Sequence, residues 1–213
     1  MLRLLINPLA QGAYFNMLHM VAEAELRACF QVEHVEHVTL GPLDLIEVDL
    51  PLSAASGLIR FSWVQAIFEV KVQDKFTLSC LDVQADYQLP AALVWGQKYR
   101  GKTHELVTQL AINLVLSTAE HDRKYPTLLD PMAGHGTTLL WAARYGINAY
   151  GVELEPQSID HFERDVKRQT KLHRIKHSTQ HSASKKGKKR GSGRYFEFTW
   201  PESVSRLTVG DTR

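Results

Sequence analysis

The sequence predicts an α/β protein in which a small α+β module precedes an open, doubly wound sheet. Three observations predict it. Between 127 and 153, a short apolar run, a glycine turn, a helical pattern and a second apolar run ending on Glu153 follow one another, the order in which a parallel sheet cradles a nucleoside. Ahead of this stretch, residues 1–95 alternate short strand-like runs with one long amphipathic pattern. A chain of 213 residues, 44% of them hydrophobic, can bury a core in one large or two small domains.

The first module, 1–95, reads as an accessory, substrate-recognition region. Leu2 to Ile6 is a strand candidate. Tyr14 to Phe30 reads as one helix whose apolar stripe runs through Leu18, Val21, Ala22, Leu26 and Cys29. Val35 to Leu40, Leu45 to Val48, Ala66 to Val70 and Phe76 to Cys80 read as strands. Trp63, Phe68 and Trp95 are core residues by type, with base stacking as the alternative. The boundary is expected between Pro90 and Lys102, so that the second domain spans 96–213.

In that second domain, Lys98 to Glu105 leads into an amphipathic helix marked by Leu106, Leu110, Leu114 and Val115. Gly101 supplies a turn and Thr103 a cap. Thr127-Leu128-Leu129 reads as a buried strand end that delivers Asp130. Gly134 and Gly136 then allow a tight turn against which a ligand can lie, since neither has a Cβ. A helix starts near Thr137, repeats Leu139, Leu140, Ala142 and Ala143, and stops at Gly146. The amides at its start favour an anionic group. Ala149 to Val152 forms the next strand and ends on Glu153, 17 residues after Gly136, where a carboxylate can accept hydrogen bonds from two ribose hydroxyls.

What is missing narrows the ligand. No lysine occurs from Leu128 to Leu140, which argues against a triphosphate loop, and no third glycine completes a dinucleotide fingerprint. Asp130 sits poorly beside a pyrophosphate but suits a ligand carrying an ammonium and a sulfonium. S-adenosylmethionine carries both, together with an adenosine and a carboxylate.

Asp130-Pro131-Met132-Ala133-Gly134-His135-Gly136-Thr137-Thr138 resembles the D-P-[FM]-[CA]-G-x-G-T-x motif of class I S-adenosylmethionine-dependent methyltransferases, whose sheet is Rossmann-like. The branch it resembles is shared by THUMP-associated RNA methylases, including tRNA guanine-N2 enzymes, and amino-group DNA methylases. Gly151-Val152-Glu153-Leu154-Glu155-Pro156 resembles that branch's second motif. The likeness implies S-adenosylmethionine as cofactor, bound by Asp130, Pro131, Met132, Gly134, Gly136, Thr137 and Glu153. Leu207-Thr208-Val209 reads as a strand, and the likeness makes Asp211, after Gly210, a candidate for the adenine amino group. An ordinary Gly-Asp turn is the alternative.

The chain departs from the branch in one respect. Methyl transfer there uses a [DNS]-P-P-[YFW] loop, and no Pro-Pro pair occurs among Pro8, Pro42, Pro51, Pro90, Pro126, Pro131, Pro156 and Pro201. Only three strands of the second sheet are anticipated. The expectation is an incomplete sheet with no catalytic residues, inactive alone. The resemblance implies RNA, tRNA first, methylated at an exocyclic amine. DNA adenine-N6 or cytosine-N4 methylation, and a non-catalytic cofactor-binding partner of another subunit, stay open.

Charge divides the chain. From Arg164 to Arg194 there are twelve Lys or Arg and one acid, Asp165, a net of +11, while the remaining 13 basic and 22 acidic residues leave −9. Residues 171–194 are expected to be a flexible basic insertion, and the segment Arg164 to Arg194 is expected to meet RNA phosphates. The Lys185 to Arg190 cluster has a nuclear address as its competing reading. His173, His177 and His181 would share a face of a continuing helix, but neither they nor the Glu33 to Val38 stretch select a metal geometry. Cys29 and Cys80 are isolated, and Met1 to Pro8 is too short for a secretion signal. A reducing, cytoplasmic setting fits.

Overall fold

The computed structural model describes all residues except 73–75, 96–98, 120–125, 184–193, 202–203 and 210–213. Among the described residues it is a mixed α/β protein with two five-stranded sheets. In chain order the elements are β1 (Leu2–Ile6), α1 (Ala10–Tyr14), α2 (Leu18–Phe30), β2 (Val35–Leu40), β3 (Leu43–Val48), α3 (Ala55–Leu58), β4 (Val64–Val72) and β5 (Phe76–Cys80). They continue with α4 (Ala92–Trp95), α5 (Glu105–Thr118), β6 (Thr127–Asp130), α6 (Thr137–Arg144), β7 (Asn148–Glu153), α7 (Pro156–Leu172), β8 (Ser178–Ala183), β9 (Arg194–Thr199) and β10 (Val204–Val209). Two compact units result: Met1–Asp86 with Leu106–Ala119, and Tyr87–Glu105 with Glu120–Arg213. Among the described residues no helix is long and apolar enough to cross a membrane.

In the first unit, β1 lies at the centre of an antiparallel sheet ordered β2-β3-β1-β4-β5. Its alternate residues Leu2, Leu4 and Ile6 point into the core, as a period of two requires. The helix expected over Tyr14 to Phe30 is broken. Tyr14 is buried, its hydroxyl 2.7 Å from Ser62 Oγ and 2.8 Å from the Leu106 carbonyl oxygen. Phe15 turns outward at φ +52° and ψ −133°, a sparsely populated backbone state costing about 1–3 kcal/mol.

Helix α2 buries Leu18, Ala22, Glu25 and Leu26, so a carboxyl sits inside the apolar stripe. Asn113 Nδ2 donates to Glu25 Oε1 at 2.7 Å, and the Ser62 hydroxyl to Oε2 at 3.1 Å. Burial pushes the Glu25 carboxyl up to about 7, against the hydrogen bonds that favour its ionised form. The same bonds correct the expected face of α5. It buries Leu106, Thr108, Gln109, Ile112 and Asn113, whereas Val115 is exposed. Gln109 and Asn113 both donate to the Arg60 carbonyl, so polar residues lie inward because partners await them. Residues 106–119, placed by sequence in the 96–213 domain, thus group with the first unit.

The second unit's sheet runs β6-β7-β10-β9-β8, with β6, β7 and β10 mutually parallel and β9 antiparallel to both of its neighbours, β10 and β8. Five strands stand where three were anticipated. The basic insertion expected over 171–194 begins in ordered structure: α7 runs to Leu172, and β8 pairs with β9 from Ser178 opposite Thr199 to Ala183 opposite Arg194. Residues 184–193, with the Lys185 to Arg190 cluster, lie outside the described residues. Because the helix stops, His173, His177 and His181 share no helical face.

Helix α6 is buried on nearly every side, from Leu139 to Arg144. Gly146, at φ +70°, ends it, with Gly146 N donating to the Ala143 carbonyl and Ile147 N to that of Ala142. Helix α7 is capped by Glu155, whose Oε1 accepts from Gln157 N, with Pro156 at the first position. It buries Ile159, Phe162 and Val166, each contributing about 1.5–3 kcal/mol. Gly151 is a contact point: a Cβ there would come within 2.7 Å of Ala133 Cβ and 2.9 Å of Leu139 Cδ1. Strand β6 lies at the end of the sheet order. Leu128 is therefore buried while Leu129 is 65% exposed, which corrects the expectation of a buried strand end.

Candidate functional site

Strand β6 delivers Asp130 to the carboxyl end of the parallel strands, and the chain turns at once. Asp130 Oδ1 accepts from Met132 N at 3.0 Å, a local turn that a short carboxylate closes readily. Pro131 and Met132 face outward, Met132 at 84% exposure. Ala133 N donates to the Val152 carbonyl, which keeps the turn beside the end of β7.

Gly134 is the open point of the bend. Its φ is +51°, and a Cβ built on it would meet nothing within 4 Å. Its N–H donates to Glu153 Oε2 at 2.7 Å. Glu153 Oε1 accepts from Leu154 N at 2.8 Å and Glu155 N at 3.0 Å. Partial burial pushes the Glu153 carboxyl up, but the backbone N–H groups of Glu155, Gly134 and Leu154, with His135 nearby, outweigh it and hold it below the usual carboxylate value. The result is an ionised carboxylate fixed in orientation beside an uncovered stretch of backbone. Its two oxygens have acceptor capacity beyond these three bonds.

Gly136 has a different reason for being glycine. At φ +79°, a Cβ would come within 2.4 Å of Phe162 Cδ2, so this residue lets the loop close onto α7 rather than onto a ligand. That corrects the expectation that both glycines expose backbone to a ligand. Thr137, the first residue of α6, is buried, with its Oγ1 2.7 Å from the Tyr99 hydroxyl. Asp211, the candidate for the adenine amino group, lies outside the described residues.

Three residues of this site escaped the sequence reading. His135 sits between the two glycines, and its ring lies 4.1 Å from that of Tyr99 and 4.6 Å from that of His161, centroid to centroid. Burial, then the neighbouring His161, holds the His135 imidazole below its ordinary value, although Asp165 and Glu153 oppose this. Burial raises the Tyr99 phenol, opposed by its bond to Thr137. For Tyr99 the available signal was an aromatic residue two positions before Gly101. Nothing local marked His161.

Gly101 supplies the expected turn at φ +80°. Lys102 Nζ donates to the Val94 carbonyl at 2.7 Å and to Glu105 Oε1 at 2.6 Å, which ties the segment to α4 and to the start of α5. The arrangement can therefore hold hydroxyl groups on Glu153, accept a flat group against Gly134, and resist distortion through its ring contacts. Among the described residues no group of three or more His, Cys, Asp or Glu could hold a metal ion. In comparison with known proteins, no family model and no curated protein matches the chain.

Proposed function

We propose that the second unit is a Rossmann-like domain that binds S-adenosylmethionine and serves methyl transfer to RNA, tRNA first, at an exocyclic amine. The observation that carries this reading is the bond from Gly134 N to Glu153 Oε2, beside a Gly134 with open space where a side chain would stand. Glu153 would hold the ribose hydroxyls. Gly134 would receive the body of the nucleoside, and Asp130, at the strand end, would face its cationic part. When bound, the cofactor supplies an electrophilic methyl group on a sulfonium. The chain's own residues fix the carboxylate, keep the bend open and hold the loop on α7.

No catalytic residue is assigned, since the sequence contains no Pro-Pro pair of the kind that grips an amino nitrogen in the branch it resembles. The second reading is a cofactor-binding partner of another catalytic subunit. Calorimetric titration with S-adenosylhomocysteine tests the shared premise. Micromolar binding is expected, abolished in Glu153→Ala and in Gly134→Val. Binding unchanged in both overturns the assignment. Transfer of labelled methyl to total tRNA against duplex DNA, alone and with cell extract, then separates RNA methylation, DNA methylation and dependence on a partner.

A further inference from the structure

We propose that the outer face of α7 and the adjoining edge strand β8 form a docking surface for the RNA phosphate backbone. The choice of RNA rests on the function proposed above; the surface itself does not depend on the cofactor.

The helix sorts its residues sharply. Ile159, Phe162, Val166, Gln169 and Thr170 face inward, while Arg164, Lys167, Arg168 and Lys171 are exposed at spacings of three, four and seven, which places them on one side. After Leu172 the chain reverses through Arg174 at φ +53°, with Ile175 N donating to the Thr170 carbonyl, and exposes Arg174 and Lys176. Strand β8 follows at the end of the sheet order, so its outer edge has no neighbour among the described strands.

Ring contacts join helix and strand into one surface. The Lys167 ammonium lies 5.7 Å from the centroid of Phe196, and His181 packs on the same ring at 4.9 Å. His177 stacks on Phe198, also at 4.9 Å. Between Asp160 and His181 six Lys or Arg stand against three acids: Asp160, 2.8 Å from Arg194, Glu163, which pairs with Lys167, and Asp165, 3.5 Å from Arg168. The patch keeps a net positive charge.

Its chemistry selects the partner. Protein interfaces centre on exposed aromatic or aliphatic anchors, but Phe196, Phe198 and Trp200 are at most 3% exposed beneath the histidines. Apart from the single aliphatic Leu172, which is exposed at the end of α7, the exposed groups are cations, histidines and the polar Ser178, Thr179 and Gln180, which fit phosphates and 2′-hydroxyls rather than base faces. Recognition here is of backbone, not of sequence.

Fluorescence anisotropy of a short labelled oligouridylate with the full chain tests this over a range of salt. The triple variant Arg164→Glu, Arg168→Glu, Lys171→Glu should weaken binding at least tenfold. The milder triple Gln variant should bind with a salt slope smaller by about 2, since each lost phosphate contact on a single strand removes roughly 0.7. Circular dichroism of both variants should match the wild type, because all three positions are exposed. Wild-type affinity and slope in the Gln variant would overturn the proposal, as would complete loss of binding on neutralising Lys185 to Arg190 alone. Equal competition by polyglutamate would give the face to an acidic protein and overturn it too. Loss of RNA binding with S-adenosylhomocysteine still bound refers to this surface alone; the converse refers to the cofactor site alone.

Discussion

The imidazole of His135 lies 4.6 Å from that of His161, with the two ring planes only 7° from parallel. One ring belongs to the glycine turn and the other to α7, so the contact holds the bend against the helix that follows the next strand. Gly136 makes this approach possible by leaving room for Phe162, the neighbour of His161 in sequence. Burial disfavours a proton on the His135 imidazole, and the neighbouring His161 adds to it.

A titration follows from that contact. His135 has a lowered pKa in the folded chain, so its contribution to stability is complete above the ordinary imidazole value and is lost as pH falls through the folded value. In His161→Phe the like-charged neighbour is gone, and the His135 midpoint should rise. Nuclear magnetic resonance of the imidazole Cε1 protons measures it. An unchanged midpoint would mean that the stacking has no electrostatic consequence.

The two glycines of the turn should respond differently. Gly134→Ala places a methyl in open space and should cost about 1–2 kcal/mol, the left-handed backbone alone. Gly136→Ala adds the clash with Phe162 to a similar backbone cost, for a total of about 3 kcal/mol or more. Urea unfolding of the two variants gives both values. Equal losses would show that packing on α7 is not what demands glycine at 136.

Glu25 should give the first unit an acid-side stability. Its folded pKa, about 7, lies above the ordinary carboxylate value, so the folded state holds the proton more tightly. The associated stability is fully present below the ordinary value and is lost as pH rises through about 7. The range corresponds to up to about 3 kcal/mol, from 1.36 kcal/mol per unit. Glu25→Gln keeps most of the partners and should flatten the profile between pH 4.5 and 7 in thermal unfolding. A variant as pH-dependent as the wild type would place the titration elsewhere.

Much of the candidate site is local and could be read from the chain. Asp130 closes its own turn two residues on, Gly134 and Gly136 take positive φ, Gly146 ends α6, and Glu153 stands at the end of β7, all within 24 residues. In the first unit, Leu2–Ile6, Val35–Leu40 and Phe76–Cys80 are strands with the bounds that their apolar patterns suggest. Elements of this kind depend on backbone preference and on the spacing of apolar residues, which neighbours in sequence already contain.

Tertiary structure decided the partners. Periodicity tells which face of an element turns inward but not what it will meet there. Glu25 and Asn113, 88 residues apart, are polar residues on inward faces because each satisfies the other. Tyr99 reaches Thr137 and His135 reaches His161 across loops that no local pattern links. Strand β8, polar enough to read as part of an insertion, is ordered because β9 offers a ladder and buried rings beneath His177 and His181. Such long-range pairings satisfy buried hydrogen-bonding groups and bring ring faces together, and those gains arise only once the chain has folded.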